Sequence, residues 1–254
     1  MTNKHAIHRQ FTTHNLQFTK YAFTLAETLI VMGIIGVVAA LTLPNLNSST
    51  GDKEKVVKLQ KIYSNLNDAF GRAEAVYGPI SGWCSGISDN SDCSKKYVDR
   101  FSDFLKVSKT CNDDYGCLYS DDDYPPYMRG VILADGASVD IGTTSTQFSQ
   151  ASSSVTYDAP EKYCFGDIFV DIDGPNKGKR SNGYDIFRFF VTTKGIVPSG
   201  GENAIDQFNP NGGADYLATD WVIKFGNMDY LKVKSGKCPD GKTVLNWTTN
   251  TTCK

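Results

Sequence analysis

The feature that most constrains this chain is its apolar segment at 23–43. The segment has the sequence FTLAETLIVMGIIGVVAALTL, 21 residues with a single charge at Glu27. At about 1.5 Å of rise per residue, a helix of this length matches a hydrocarbon core of about 30 Å. We therefore predict a transmembrane helix at 23–43, with residues 44–254 left to fold outside the membrane.

Charge is distributed unevenly around this segment. Of the 26 Lys and Arg residues, Lys4, Arg9 and Lys20 precede it, whereas none of the 28 acidic residues does. The rest of the chain is therefore acidic overall, although the net charge of the whole chain is only −2. A slightly acidic domain has no electrostatic attraction to a phosphate backbone, so nucleic acid is not an expected partner.

The positions of the histidines argue against catalysis. His5, His8 and His14 are the only three histidines, and all of them lie in the first 22 residues. If those residues are removed as a leader, the chain retains no imidazole for acid–base chemistry or metal binding. No pair of nucleophile and general base can then be named, so we predict that the protein is not an enzyme.

Pro44 follows the apolar segment, and a proline inside a helix removes a backbone donor and clashes with the preceding turn. We expect a kink or a break there, followed by a polar, turn-like stretch at 45–51. At 52–77 apolar residues recur at intervals of three and four, which predicts an amphipathic helix that ends at Gly78 and Pro79. Its apolar positions are Val56, Leu59, Ile62, Tyr63, Leu66, Phe70, Ala73, Val76 and Tyr77.

The remainder of the chain has the signals of a mixed α and β domain. Residues 80–127 are rich in loops around one short helix predicted at 97–107. Two β-rich runs flank Asp135-Gly136, a dipeptide typical of tight hairpins. Further strands are predicted at 167–172, 186–192 and 195–197, and 216–224 fits either a helix or a strand. These elements predict an α+β fold in which a long N-terminal helix packs on an antiparallel sheet.

The junction between the basic leader and the apolar segment resembles the processing signature of type IV prepilins and of the pseudopilins of type II secretion. The residues that carry the resemblance are K-Y-A followed by F-T-L-A-E-T-L-I, and it continues through GIIGVVAALTLPNL. In that family an inner-membrane prepilin peptidase cuts before the aromatic residue and N-methylates the new terminus. The resemblance implies cleavage between Ala22 and Phe23, at a position where the family usually has glycine instead of Ala22.

Glu27 is a costly residue in such a segment, since a charge near the centre of a membrane helix costs roughly 2.5 to 3.5 kcal/mol on insertion scales. The resemblance implies that Glu27 pairs with the amino terminus of a neighbouring subunit during assembly. The alternative is that its side chain reaches to the membrane interface. The segment as a whole has two further interpretations, a secretory signal cut near Val38-Ala39-Ala40 or a plain single-pass anchor.

A second, local resemblance covers residues 168–200. Asp171, Asp173, Asn176 and Asp185 place oxygen atoms around glycine turns, and calcium binds about six to eight oxygens. This stretch looks like the loop of major pseudopilins that binds calcium between two strands. It is not an EF-hand, because the spacing and the closing glutamate are missing. The alternative is a simple turn whose aspartates accept hydrogen bonds from backbone amides.

Seven cysteines behind an export-type N-terminus indicate disulfides, because the chain has no paired C-x-x-C knuckles for zinc. Proximity in the sequence suggests three pairs and leaves Cys164 over. The pairs are Cys84 with Cys93, Cys111 with Cys117, and Cys238 with Cys253. Six cysteines allow about 15 connectivities, and buried reduced thiols are an alternative. The resemblance favours the last pair, since a disulfide-closed C-terminal loop is frequent in pilin heads.

With the resemblance, these observations predict a pilin-like fold in three parts. They are a leader at 1–22, a transmembrane and assembly helix at 23–43, and an amphipathic half-helix with an extracytoplasmic, disulfide-bearing head at 44–254. The expected function is that of a structural subunit of a type IV pilus or a type II secretion pseudopilus. Expected partners are prepilin peptidase, the bacterial inner membrane and like subunits. The alternative is a membrane-tethered or secreted binding domain that does not polymerise.

Overall fold

The computed structural model describes residues 24–111, 116–118, 127–143, 164–175, 177–202, 204 and 207–253, with backbone alone at 39–50 and 164. The helices in this part are α1 (Leu25–Tyr77), α2 (Asn90–Ser102) and α3 (Thr219–Phe225). The strands are β1 (Val107–Cys111), β2 (Met128–Leu133), β3 (Ser138–Thr143), β4 (Cys164–Asp171), β5 (Ile186–Thr192) and β6 (Gly195–Pro198). The chain divides into two units between Asn47 and Ser48.

The six strands form one antiparallel sheet in the order in which they occur along the chain. Each strand pairs with its neighbour in sequence, which is the commonest arrangement of consecutive strands. In the hairpin predicted around Asp135-Gly136, Val131 faces Val139 across β2 and β3. The predicted strands at 167–172, 186–192 and 195–197 correspond to β4, β5 and β6. The α+β prediction with an antiparallel sheet is therefore confirmed.

The second half of α1 packs on one face of the sheet. Its buried side chains are Val56, Leu59, Ile62, Leu66, Ala69, Phe70 and Ala73. They share one hydrophobic cluster with alternate residues of the strands, among them Val131, Val139, Ile168, Phe187 and Val191. Tyr63 stacks on Phe189 of β5 with 5.6 Å between ring centroids. The predicted amphipathic pattern is confirmed from Val56 to Ala73, whereas Val76 and Tyr77 at the end of the helix are 63% and 37% exposed.

The opposite face of the sheet carries a smaller hydrophobic cluster. Successive residues of a strand point to opposite faces, so Ile186 of β5 faces away from Phe187. Ile186 and Phe169 form this second cluster with Leu118 and Met128. A short segment at 116–118 therefore lies against the face of the sheet that α1 does not cover.

Two boundaries differ from the predicted ones near α2. The helix predicted at 97–107 begins earlier and ends earlier, and Val107 instead begins strand β1. The missed signal is Asp89, whose carboxylate accepts hydrogen bonds from the amides of Ser91 and Asp92. An aspartate at this N-cap position stabilises a helix start because it satisfies amides that have no partner within the helix. At 216–224, where two predictions were open, the chain is helical.

The turn-like stretch predicted at 45–51 is absent, because α1 is helical from Leu25 to Tyr77 without interruption. The prediction of a break at Pro44 is therefore wrong, whereas a kink at Pro44 stays a prediction. The polar residues that follow Pro44 each cost a helix only about 0.5 to 1 kcal/mol relative to alanine. Helix on both sides offsets such costs, since adding a residue to an existing helix avoids a new nucleation step.

Within the described part of the chain, no helix combines the length and the apolar character needed to traverse a bilayer. Of the span predicted at 23–43, residue 23 and the side chains of 39–43 lie outside that part. The predicted leader at 1–22 lies outside it as well.

The packing of α1 on the sheet leads to a first prediction. Replacing the fully buried Leu59 with alanine should lower the free energy of unfolding by about 2 to 5 kcal/mol, because the substitution leaves a cavity. Val57, two residues away and 64% exposed, provides the control, since its replacement by alanine should change that free energy by less than about 0.5 kcal/mol. Urea unfolding followed by fluorescence of the buried tryptophans measures both. Equal losses in the two variants would contradict this packing.

Candidate functional site

The first half of α1 has exposed apolar side chains on all sides. Nine large ones between residues 25 and 38 are 52% to 79% exposed. They are Leu25, Leu29, Ile30, Val31, Met32, Ile34, Ile35, Val37 and Val38. Since Leu29, Ile30, Val31 and Met32 are consecutive, they cover the whole circumference of the helix. A helix that is apolar all round is typical of one that lipid or other helices surround.

Glu27 lies in the first turn of α1 and closes a local hydrogen-bonded ring with Thr24. Its Oε2 accepts hydrogen bonds from the backbone amide of Thr24 at 2.9 Å and from the Thr24 hydroxyl at 2.8 Å. The Thr24 Oγ1 in turn accepts from the amide of Glu27 at 3.2 Å. This reciprocal arrangement is a capping box, and its sequence signal, T-x-x-E, was missed. Glu27 therefore stabilises the start of the helix, which is a role separate from the predicted one in assembly. The predicted processing residues, Ala22 and Phe23, lie outside the described residues.

The acidic turn between β4 and β5 is organised by backbone amides. Oδ1 of Asp171 accepts hydrogen bonds from the amides of Asp173 and Gly174, both at 3.0 Å. Asp185 accepts three more, at 2.6 to 2.8 Å, from the amides of Lys179, Arg180 and Ser181. Asp171 and Asp185 therefore act as the alternative interpretation predicted, as turn residues whose carboxylates accept hydrogen bonds from backbone amides.

Asp173 and Asp185 converge on one glycine of this turn. A β-carbon at Gly178 would lie 2.6 Å from Oδ2 of Asp173 and 2.5 Å from Oδ2 of Asp185. Gly178 also has a φ of +65°, which other residues rarely adopt. Only glycine fits here, so the turn holds two carboxylates close to one stretch of backbone.

Asp171 has one carboxylate oxygen without a partner. Its Oδ2 is buried and has no hydrogen-bond partner in the described part of the chain. Burial raises the pKa of Asp171 to about 6, against the amides of Gly174 and Asp173, which lower the pKa. The nearby carboxylates of Asp185 and Asp173 raise it further.

Among the described residues, no group of three or more Asp, Glu, Cys or His side chains is arranged to hold a metal ion. Of the predicted calcium ligands, Asp171, Asp173 and Asp185 lie in the same turn, and Asn176 lies outside the described residues. Calcium binding at this turn stays a prediction.

Asp140 of β3 is a fully buried carboxylate that the sequence analysis missed. Its Oδ1 accepts a hydrogen bond from the amide of Cys117 at 2.8 Å, and its Oδ2 accepts one from the amide of Leu118 at 2.7 Å. These hydrogen bonds attach the segment at 116–118 to the face of the sheet that α1 does not cover. Strand alternation alone would place Asp140 on a solvent face, so nothing in the local sequence predicted its burial.

Two further features allow the segment at 116–118 to lie against Asp140: a glycine that leaves room for the carboxylate and a disulfide that holds the segment. Gly130 faces Asp140 across β2 and β3, and a β-carbon at Gly130 would lie only 1.6 Å from the Asp140 Oδ1. The disulfide between Cys111 and Cys117 connects the same segment to the end of β1. Burial raises the pKa of Asp140 to about 7, against the amides of Cys117 and Leu118, which lower the pKa.

The three predicted disulfide pairs are confirmed. The Cα atoms are 5.4 Å apart in Cys84–Cys93, 5.5 Å in Cys111–Cys117 and 5.4 Å in Cys238–Cys253. These separations are usual for disulfides. The side chain of Cys164 lies outside the described residues.

Comparisons of the chain with protein-family models, with curated proteins and with solved structures found no match. Its function must therefore be inferred from its own residues. The two features with the most functional content are the exposed apolar half of α1 with Glu27 and the carboxylates of the head.

The burial of Asp140 leads to a prediction about pH. Because the folded pKa is about 7 and the ordinary value is about 3.9, the folded state binds this proton more tightly than the unfolded state does. The contribution of this proton to the free energy of unfolding is fully present below about pH 4 and is lost as the pH rises through about 7. Asp140→Asn should therefore flatten the rise in unfolding free energy from about pH 8 to 5, by at most about 1.4 kcal/mol per pH unit.

Asp240→Asn is the control for this measurement. Asp240 is exposed, and its hydrogen bond from the Thr243 hydroxyl lowers the pKa of Asp240, so that it stays ionised over the whole range tested. The pH dependence of this variant should equal that of the wild type in urea titrations at each pH. A wild-type slope in Asp140→Asn would show that another group takes up the proton.

Proposed function

We propose that the protein is a structural subunit of a filament of the type IV pilus or type II secretion pseudopilus kind, held in the bacterial inner membrane before assembly. The observation that carries this proposal is the change of character along α1. Its first half has apolar side chains exposed on every side, whereas its second half packs one face on the antiparallel sheet. One helix thus has a part that needs an external apolar environment and a part that belongs to the head.

The exposed apolar side chains support a role in which α1 changes its surroundings. Burying an aliphatic side chain of this size contributes about 1.5 to 3 kcal/mol, so nine of them favour burial strongly. In the proposed sequence of events lipid covers this half of α1 first, and the same halves of neighbouring subunits cover it in the filament. The proposal includes no catalytic step.

The capping box is compatible with the proposed processing. Cleavage between Ala22 and Phe23 would leave Thr24 as the second residue, so its amide and hydroxyl would still be available to Glu27. In the proposal prepilin peptidase makes this cut, and the carboxylate of Glu27 then also attracts the amino terminus of a neighbouring subunit. An ion pair in a medium of low dielectric is much stronger than one in water, which would set the register between subunits.

The two roles of Glu27 can be separated by substitution. Glu27→Gln keeps an oxygen for the capping box but removes the charge, whereas Thr24→Ala keeps the charge and removes the capping hydroxyl. If the charge drives assembly, filaments of the native host should be lost in Glu27→Gln and Glu27→Ala and retained in Thr24→Ala. Electron microscopy of sheared filaments, with immunoblots of the membrane fraction to confirm that each subunit is present, measures this.

The opposite pattern, with filaments in Glu27→Gln but not in Thr24→Ala, would assign Glu27 to helix capping alone. Filaments in all three variants would remove Glu27 from the assembly mechanism.

Processing of the N-terminus gives a second test of the proposal. Protein recovered from host membranes should begin at Phe23 and carry the added mass of one methyl group, as measured by intact mass and N-terminal sequencing. A terminus near Leu41 would instead favour a secreted binding domain, the alternative function. An uncut Met1 would favour a plain membrane anchor, and either result would contradict the pilin pathway.

A further inference from the structure

We infer that Lys55 of α1 is the built-in cation of the acidic β4–β5 turn, and that its ammonium ties α1 to this turn without a metal ion. The inference concerns the head alone and does not depend on the proposed filament. It gives the acidic turn a role in positioning the helix that enters the head.

The geometry places the Lys55 ammonium among three electron-rich groups. Its Nζ lies 3.1 Å from Oδ2 of Asp173 and donates a hydrogen bond of 3.4 Å to the backbone oxygen of Tyr184. It also lies 3.7 Å from the centroid of the Tyr184 ring, which is a cation–π contact. A carboxylate, a carbonyl oxygen and a ring face therefore meet one positive charge.

Burial makes this ion pair different from the surface pairs of α1. The side chains of Lys55 and Asp173 are 15% and 30% exposed, whereas those of Arg72 and Asp68, paired one turn apart on the same helix, are 58% and 65% exposed. Solvent screens an exposed pair so well that it contributes little. A shielded pair interacts more strongly, and losing one partner leaves a poorly solvated charge.

Two of the three basic residues of the turn itself make other contacts. Arg180 donates a hydrogen bond to the backbone oxygen of Leu118, and the Lys179 ammonium lies 3.9 Å from the Tyr184 ring centroid. Lys177 is exposed. In the described part of the chain, the cation that pairs with Asp173 is therefore Lys55 of α1 and not a basic residue of the turn.

This arrangement bears directly on the predicted calcium site. Asp173 is one of the four residues predicted to bind calcium, and an ammonium now lies within ion-pair distance of its carboxylate. A metal ion at Asp173 would meet the repulsion of this positive charge or would have to displace it. The head should therefore fold fully in the absence of calcium.

A double-mutant cycle tests the inference on the purified full-length chain. Lys55→Met keeps most of the aliphatic stem, and Asp173→Asn keeps the shape of its side chain. Each single change should raise the unfolding equilibrium constant about fivefold or more, the effect of losing roughly 1 kcal/mol. The double variant should be within about twofold of the worse single variant, because the second change removes an interaction that is already lost.

Lys177→Met is the matched control, since it removes the same charge from an exposed position of the same turn. Its effect should be less than about twofold and should multiply independently with that of Asp173→Asn. Urea unfolding followed by tryptophan fluorescence measures every variant. Independent, multiplicative effects of Lys55→Met and Asp173→Asn would overturn the inference, as would single variants as stable as the wild type.

Melting of the wild type in EDTA and in millimolar calcium tests the second half of the inference. The midpoint temperatures should agree, because the turn is complete with Lys55. A clearly higher midpoint temperature in calcium than in EDTA would overturn the claim that the turn needs no metal ion, since a ligand that binds the folded state raises its stability.

Discussion

The burial of one face of α1 against the six-stranded sheet is the interaction on which the rest of the head depends. The strands pair only with their neighbours in sequence, and a meander of this kind has one face that must be covered to be stable. Leu59, Ile62 and Leu66 contribute to that cover without any exposed surface, and α2 adds buried side chains to the same cluster. The disulfides and the acidic turn are added around a core that this helix completes.

Buried carboxylates organise much of the remaining backbone. Asp140, Asp171 and Asp185 are fully buried, and each accepts hydrogen bonds from at least two backbone amides. An amide donor satisfied in this way avoids the cost of a buried polar group without a partner. The arrangement also explains why Gly130 and Gly178 are glycines, since a side chain at either position would collide with a carboxylate. Acidic residues that resembled metal ligands in the sequence thus act largely as partners for the chain's own amides.

The two halves of α1 connect this head to the proposed filament. The packed half fixes the helix to the sheet, and Lys55 adds a shielded ion pair to that attachment. The other half carries nine exposed apolar side chains, which an external apolar environment would bury. A protein that moves one helix from lipid into a bundle of like helices needs this division, because the head must stay folded while the surroundings of the apolar half change.

Features that depend on neighbours along the chain could be predicted from the residues alone. The hairpin at Asp135-Gly136, the helical face from Val56 to Ala73 and the three disulfide pairs between nearby cysteines were all predicted correctly, because turn chemistry, helical periodicity and short loops are local. The caps at Asp89 and Thr24 are local as well, and their sequence signals were available but missed. The burial of Asp140 and the ion pair between Lys55 and Asp173 became visible only in the folded chain. Asp140 contacts the segment at 116–118, and Lys55 contacts Asp173, so both contacts join residues far apart in the chain. Which side of a strand or helix is covered depends on such distant elements, which a local sequence pattern does not contain.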